Sequence, residues 1–186
     1  FAAPSEDFLP PVTILKPLKG EDPGLYDNLR SFCTLDYPGF QILFTVTSPE
    51  DSAVPVVARL RREFPGLDLE LVVSQDRLGF NPKISNVSGA SSRIKHGVLL
   101  MADSDIRVTR DFLRRSVAPF RDPAVGLVTC FYQSTTPRGL WGRLEALSVN
   151  AHFLPSAVTA AAFGMRFAMG AAILVRREAF ERSGGF

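Results

Sequence analysis

Apolar residues fall in short clusters separated by polar turns, and the spacing within each cluster predicts its element. Val12-Thr13-Ile14-Leu15 reads as a buried strand closed by Lys16-Pro17. Residues 23–33 place Leu25, Leu29 and Phe32 at helical spacing behind Asp22-Pro23, a helix-start signal. Tyr37-Pro38-Gly39 is a turn, and Gln41 to Val46 a second buried strand. Ser52 to Phe64 is an amphipathic helix, with Val56, Val57, Leu60 and Phe64 on one face and Arg59, Arg61, Arg62 and Glu63 on the other. Leu69 to Val73 is a third strand, 75–83 a Gly- and Asn-bearing loop, and Ile84 to His96 a Ser-rich helix. The fourth apolar run, Gly97 to Ala102, ends directly on Asp103-Ser104-Asp105. Beyond it the pattern gives a helix from Thr109 to Phe120 with Thr109 as N-cap, a strand from Val125 to Phe131 and a helix from Gly139 to Leu154. A strand from Ala168 to Arg176 and a short helix from Arg177 to Arg182 follow.

Strand and helix alternate through the first ~110 residues, the pattern of an α/β fold with a mostly parallel sheet and helices on both faces. Ligands of such sheets sit beyond the carboxyl ends of the strands. The loops after the first, second and fourth strands therefore converge on one crevice, carrying Lys16, Asp51 and Asp103-Ser104-Asp105.

Length and composition narrow the class. The 186 residues amount to one domain, and 46% hydrophobic with 22% charged content is that of a globular chain. A net charge of +2 argues against a nucleic-acid partner. Cys33 and Cys130 form no C-x-x-C pair and read as reduced core thiols, which suits the cytosol. The opening Phe1-Ala2-Ala3-Pro4 has no signal-peptide pattern, and no run of ~18 apolar residues spans a bilayer. With no initiator Met and an end on Ser183-Gly184-Gly185-Phe186, the chain is expected to be a soluble piece of a longer protein.

Asp103-Ser104-Asp105 is the sharpest chemical signal. In an extended segment, two carboxylates spaced this way point to the same side. Converging carboxylates repel unless a cation neutralises them. Mg²⁺ and Mn²⁺ take such oxygen ligands and leave positions for phosphate oxygens. Asn81-Pro82-Lys83 follows Gly79 and opens a helix, where Lys83 is placed to meet a phosphate or ribose, or is a surface lysine. Asp51 either favours a helix N-terminus or accepts a hydrogen bond from a base or sugar. His96 and His152 are isolated, and hydrolase, zinc-protease and P-loop strings are absent.

These strings resemble the ceramide glucosyltransferase family. The match runs through Pro11-Val12-Thr13-Ile14-Leu15-Lys16-Pro17-Leu18-Lys19-Gly20, Asp22-Pro23, Leu35-Asp36-Tyr37-Pro38, Gly79-Phe80-Asn81-Pro82-Lys83-Ile84-Ser85-Asn86 and Asp103 to Val108. The resemblance implies a GT-A fold over 1–186, incomplete at its C-terminal part, with a nucleotide-sugar half at 12–108 and the start of an acceptor half at 109–186. It implies a UDP-sugar donor contacted by Lys16, Pro17, Asp51, Lys83, Asp103, Ser104 and Gly170, and Mn²⁺ or Mg²⁺ held by Asp103 and Asp105. Some members carry Gly at the position of Asp105. Gly170-Ala171-Ala172 matches a small-residue segment where donor and acceptor approach. The family's general base, its Q/R-x-x-R-W motif and its membrane helices are expected beyond Phe186, so this stretch carries no catalytic residue of its own. The implied reaction is inverting transfer of a hexose, UDP-glucose first among donors, to ceramide or another lipid hydroxyl at the cytoplasmic face of a membrane. A hopanoid acceptor with N-acetylglucosamine, and a non-catalytic nucleotide-binding module of the same fold, are the alternatives. The apolar stretch Ala151 to Phe167 is either a membrane-facing or lipid-acceptor surface or ordinary core.

Overall fold

The computed structural model describes residues 8–74, 86–135 and 139–185. Six strands, β1 (Val12–Pro17), β2 (Phe40–Val46), β3 (Asp68–Val73), β4 (Val98–Ala102), β5 (Leu127–Thr129) and β6 (Ala172–Arg176), form one sheet in the order β3-β2-β1-β4-β6-β5. β1 pairs parallel with β2 and β4, and β2 with β3, whereas β6 runs antiparallel to β4 and β5. The α/β, mostly parallel sheet expected from the alternation is the one observed. It continues across the 108/109 division, because Ala102 pairs with Ala172 and Val98 with Arg176.

Alternation along the strands sorts the core into two faces. Val12, Ile14, Ile42, Phe44, Leu100 and Leu174 pack with helices α1 (Leu25–Cys33), α2 (Ala53–Glu63) and α3 (Phe112–Val117). Leu15, Leu43 and Met101 point the other way, onto Val87, Ala90 and Ile94. Both faces of the central strands are buried, which is why β1, β2 and β4 read as nearly unbroken apolar runs.

The helix expected over Ile84–His96 does not form in its described part beyond 88. Residues 86–88 are helical, Ser91–Arg93 makes one tight turn, and Ile94 is extended. Gly89 and three serines weaken a helix here, and two buried strand side chains claim the backbone. Gln41 Nε2 donates to Arg93 O at 3.1 Å and its Oε1 accepts from Lys95 N at 3.3 Å. Thr13 Oγ1 donates to Gln41 Oε1 at 3.1 Å and accepts from His96 N at 3.2 Å.

Other boundaries moved for local reasons. Thr109 is not the N-cap of α3; that position is Asp111, whose carboxylate accepts from Thr109 Oγ1 at 2.6 Å and Arg115 Nε at 2.5 Å. The helix stops at Val117 because Pro119 has no N–H to continue the ladder, and a tight turn, Ala118–Arg121, replaces it. The expected Val125–Phe131 strand shortens to β5, the sheet edge, because its only partner β6 begins at Ala172. The expected Ala168–Arg176 strand starts four residues late, where its partner β4 ends, since Ala102 pairs with Ala172. The helix expected over Gly139–Leu154 runs on instead: α4 (Gly139–Ser148), a wider turn at Val149–Phe153, then α5 (Leu154–Ala162). Helix α6 (Arg177–Arg182) has the predicted bounds. No helix among the described residues is long and apolar enough to cross a membrane.

Candidate active site at the carboxyl edge of the sheet

The parallel strands end on one edge, and β6 enters from that same edge. Lys16 and Pro17 close β1, Asp51 lies between β2 and α2, Asp103 follows β4, and Gly170 precedes β6. The expected site residues thus lie at this one edge, except Lys83, which falls outside the described residues along with the rest of 75–85.

Lys16 is fully buried despite its charge. It shares the face of Ile14, so its stem crosses the core beneath the end of β4. Its Nζ donates to the backbone carbonyl of Asp103 at 2.5 Å and lies 3.9 Å from the centroid of the Phe32 ring. Phe32 is in turn packed edge-on by Phe112 at 6.4 Å. A buried ammonium is tolerated only where oxygens and a π face replace its hydration, and the Asp103 turn and α1 supply both. Lys16 meets this corner from below, through Asp103, and not as an exposed arm.

Asp103 is held at several points. Its N–H donates to Ala171 O at 3.0 Å, and its carbonyl accepts from Ile106 N at 3.3 Å as well as from Lys16. Asp103-Ser104-Asp105 is therefore a tight turn and not an extended segment, so strand alternation is not what places its two carboxylates. Further on, Val108 N donates to Ser31 Oγ at 3.1 Å, and Arg107 reaches Asp27 at 3.7 Å. Asp103 and Ser104 are half-buried and Asp105 is exposed.

Asp51 does structural work with one oxygen: Oδ1 accepts from Gly20 N and from Ala53 N, each at 2.9 Å. It clasps the β1–α1 loop, where Gly20 takes a left-handed φ of 73°, to the start of α2. Asn86, 5% exposed, does the same at the next loop, with Nδ2 donating to Thr45 O at 3.1 Å and Leu18 O at 3.4 Å. Gly170 is exposed, and a Cβ built there meets nothing within 4 Å. Space beside Asp103 is thus open on the Gly170 side. Sequence reasoning missed the parts played by Phe32, Ser31 and Asn86. Phe32 reads as plain helix core, and Asn86 stood out only as part of the family-like string Gly79 to Asn86.

Among the described residues no group of three or more His, Cys, Asp or Glu gathers; the turn after β4 carries two carboxylates, Asp103 and Asp105, and carboxylate oxygens are ligands that Mg²⁺ and Mn²⁺ accept beside water and phosphate. Both cysteines are free thiols, and burial pushes Cys33 up to about 12, so neither has thiolate character to offer such an ion.

The family described as Glycosyl transferase family 21 matches residues 2–186. A ceramide glucosyltransferase of Caenorhabditis elegans is 38% identical over 103 residues, 55% of this chain and 22% of that protein. One from Candida albicans is 32% identical over 124 residues, 60% of this chain and 23% of that protein. The chain thus spans about a quarter of the length of these relatives. A mannosyltransferase from Pyrobaculum calidifontis, solved with GDP-Man and Mn²⁺, superposes with a TM-score of 0.71 at 26% identity, covering 99% of this chain and 49% of that one. The sheet is that of a GT-A glycosyltransferase.

Proposed function

The chain belongs to glycosyltransferase family 21, and on that premise we propose that it binds a UDP-sugar, UDP-glucose first among them, for inverting transfer of the hexose to a lipid hydroxyl such as that of ceramide. The observation that carries this reading is the anchored Asp103 turn. Its backbone is pinned by Lys16, Ala171 and its own Ile106, and it opens toward the unfilled space at Gly170. Such preorganisation holds carboxylates ready before the ligand arrives.

In this reading Asp103 and Asp105 hold Mn²⁺ or Mg²⁺, and Ser104 lies against the donor. When bound, such a cation neutralises the diphosphate as it leaves the anomeric carbon. Pro17, Lys83 and the second carboxylate oxygen of Asp51 line the nucleotide, Lys16 supports the corner through Asp103, and the Gly170 side admits the sugar. The acceptor hydroxyl needs a general base, and no described residue is assigned to that role. Residues 12–108 form the donor half and 109–186 begin the acceptor half, working at the cytoplasmic face of a membrane. A hopanoid acceptor with N-acetylglucosamine makes the same demands on this corner.

Calorimetry with UDP tests the reading. We expect binding that requires Mn²⁺, disappears with chelator and is abolished by Asp103→Ala. UDP binding that is indifferent to metal and to Asp103→Ala would refute it. The non-catalytic alternative is separated by mass spectrometry of lipid products from the natural full-length protein supplied with UDP-sugar and lipid.

A further inference from the structure

The helical stretch after β5 carries its apolar side chains outward. On α4, Leu140, Leu144 and Leu147 recur at i, i+4 and i+7, one stripe of the helix, with Trp141 beside them. All four are exposed, and the small Ala146 is the residue that α4 buries. Helix α5 buries none of its residues, although it reads Leu-Pro-Ser-Ala-Val-Thr-Ala-Ala-Ala. Trp141 is 81% exposed, Phe163 84% and Met165 66%.

This outward arrangement is fixed by the backbone. The Asn150 amide donates to Ser134 O at 2.8 Å and accepts from Ser134 N at 2.9 Å, and the Phe153 ring packs on Tyr132 at 5.6 Å. Gly164, at φ 80°, terminates α5, and Met165 N bonds back to Ala160 O at 3.0 Å. An apolar patch held in water in this way marks a contact surface.

Charge selects the occupant. From Ala146 to Met165 there is no Asp, Glu, Lys or Arg, while exposed Arg143 and Arg166 bracket the stretch and Glu145 sits off the leucine stripe. Protein interfaces carry a polar rim with about one hydrogen bond per 100–200 Å². Here the polar side chains are Ser148, Asn150, His152, Ser156 and Thr159, uncharged apart from the histidine's capacity to protonate, and Asn150 is already committed within the chain. Apolar bulk with an aromatic at the edge and basic brackets is the composition of a helix lying in a bilayer interface, with guanidinium groups at phosphate level. Five residues after Met165 the chain reaches Gly170, next to the Ala171 carbonyl that holds Asp103.

We propose that residues 140–165 form a membrane-seating surface: the apolar face enters the headgroup and upper acyl region of a phospholipid bilayer, and Arg143 and Arg166 meet lipid phosphates. The carboxylate corner is thereby lowered to where a lipid hydroxyl emerges. The inference deepens the lipid-acceptor reading, on which that purpose rests; the seating itself rests on the patch.

Trp141 is the chain's single tryptophan, so its fluorescence reports the event without a label. Phosphatidylcholine vesicles, without nucleotide or metal, are expected to shift the emission to the blue, and acyl-brominated lipid to quench it. Added phosphatidylglycerol strengthens binding. Leu144→Ser combined with Leu147→Ser lowers the vesicle partition coefficient by about tenfold or more and leaves the thermal midpoint unchanged, because both side chains are exposed. Asp103→Ala leaves partitioning unchanged, which keeps this result separate from the donor test. The proposal is overturned if saturating vesicles leave Trp141 emission unmoved, or if the double variant partitions like the parent. It is equally overturned by emission that is already blue without lipid or shifts with protein concentration alone, which would mean protein covers the face.

Discussion

Replacing Lys16 by methionine removes the ammonium while keeping a flexible stem of similar length, and it isolates what the buried charge does. The change forfeits a charge-assisted hydrogen bond to the Asp103 carbonyl, worth about 1.5–3 kcal/mol. It also forfeits a desolvated contact with the Phe32 ring, worth about 2 kcal/mol. Against this it relieves the burial of a charge, which costs several kcal/mol per ion. The terms oppose each other at similar size, so global stability is expected to change by less than about 2 kcal/mol. Lys16→Ala removes the same hydrogen bond and adds a cavity, for a loss of about 2–5 kcal/mol by analogy with other buried large-to-alanine changes. Both variants free the Asp103 turn, so Mn²⁺-dependent UDP affinity is expected to fall about tenfold, equivalent to about 1.4 kcal/mol. Urea unfolding and calorimetry on the two variants read stability and affinity separately. If Lys16→Met binds UDP as tightly as the parent, the ammonium does not fix the corner. If it unfolds as readily as Lys16→Ala, the charge is a net stabiliser and the balance above is wrong.

Gly170→Val should keep its thermal midpoint, because the site is open and its φ is not in the left-handed region, but should lose UDP-sugar affinity; a lower midpoint with intact binding would mean that the glycine serves packing alone. Stability should also decline in alkali. Burial raises the Cys33 thiol from 9.0 to about 12, and Cys130 and Tyr37 are raised for the same cause. The unfolded chain therefore releases these protons first, and the stabilisation, fully present below pH 9.0, is lost as pH rises toward 12. Urea midpoints compared between about pH 8 and about pH 10.5 should fall, with a shallower slope in Cys33→Ala; an equal slope in that variant counts against the assignment.

Much of the fold through β4 was legible because its signals are local. A strand buried on both faces must be apolar along its length, so β1, β2 and β4 announce themselves, and an amphipathic helix such as α2 shows its stripe. Helix α6 was read with its bounds, and the acidic turn after β4 with its place at the sheet edge. The tertiary structure decided what depends on distant partners. No local pattern shows that Thr13 and Gln41 will claim the backbone of 93–96 in place of a helix, or that Lys16 will cross the core to a carbonyl 87 residues away. The apolar stretch from Ala151 to Phe167 is the clearest case: its sequence fits ordinary core and a lipid-facing surface equally, because a hydrophobic side chain records only that it avoids water. Whether such a side chain joins the core is decided by the direction in which the folded backbone holds it, and over much of this stretch that direction is outward.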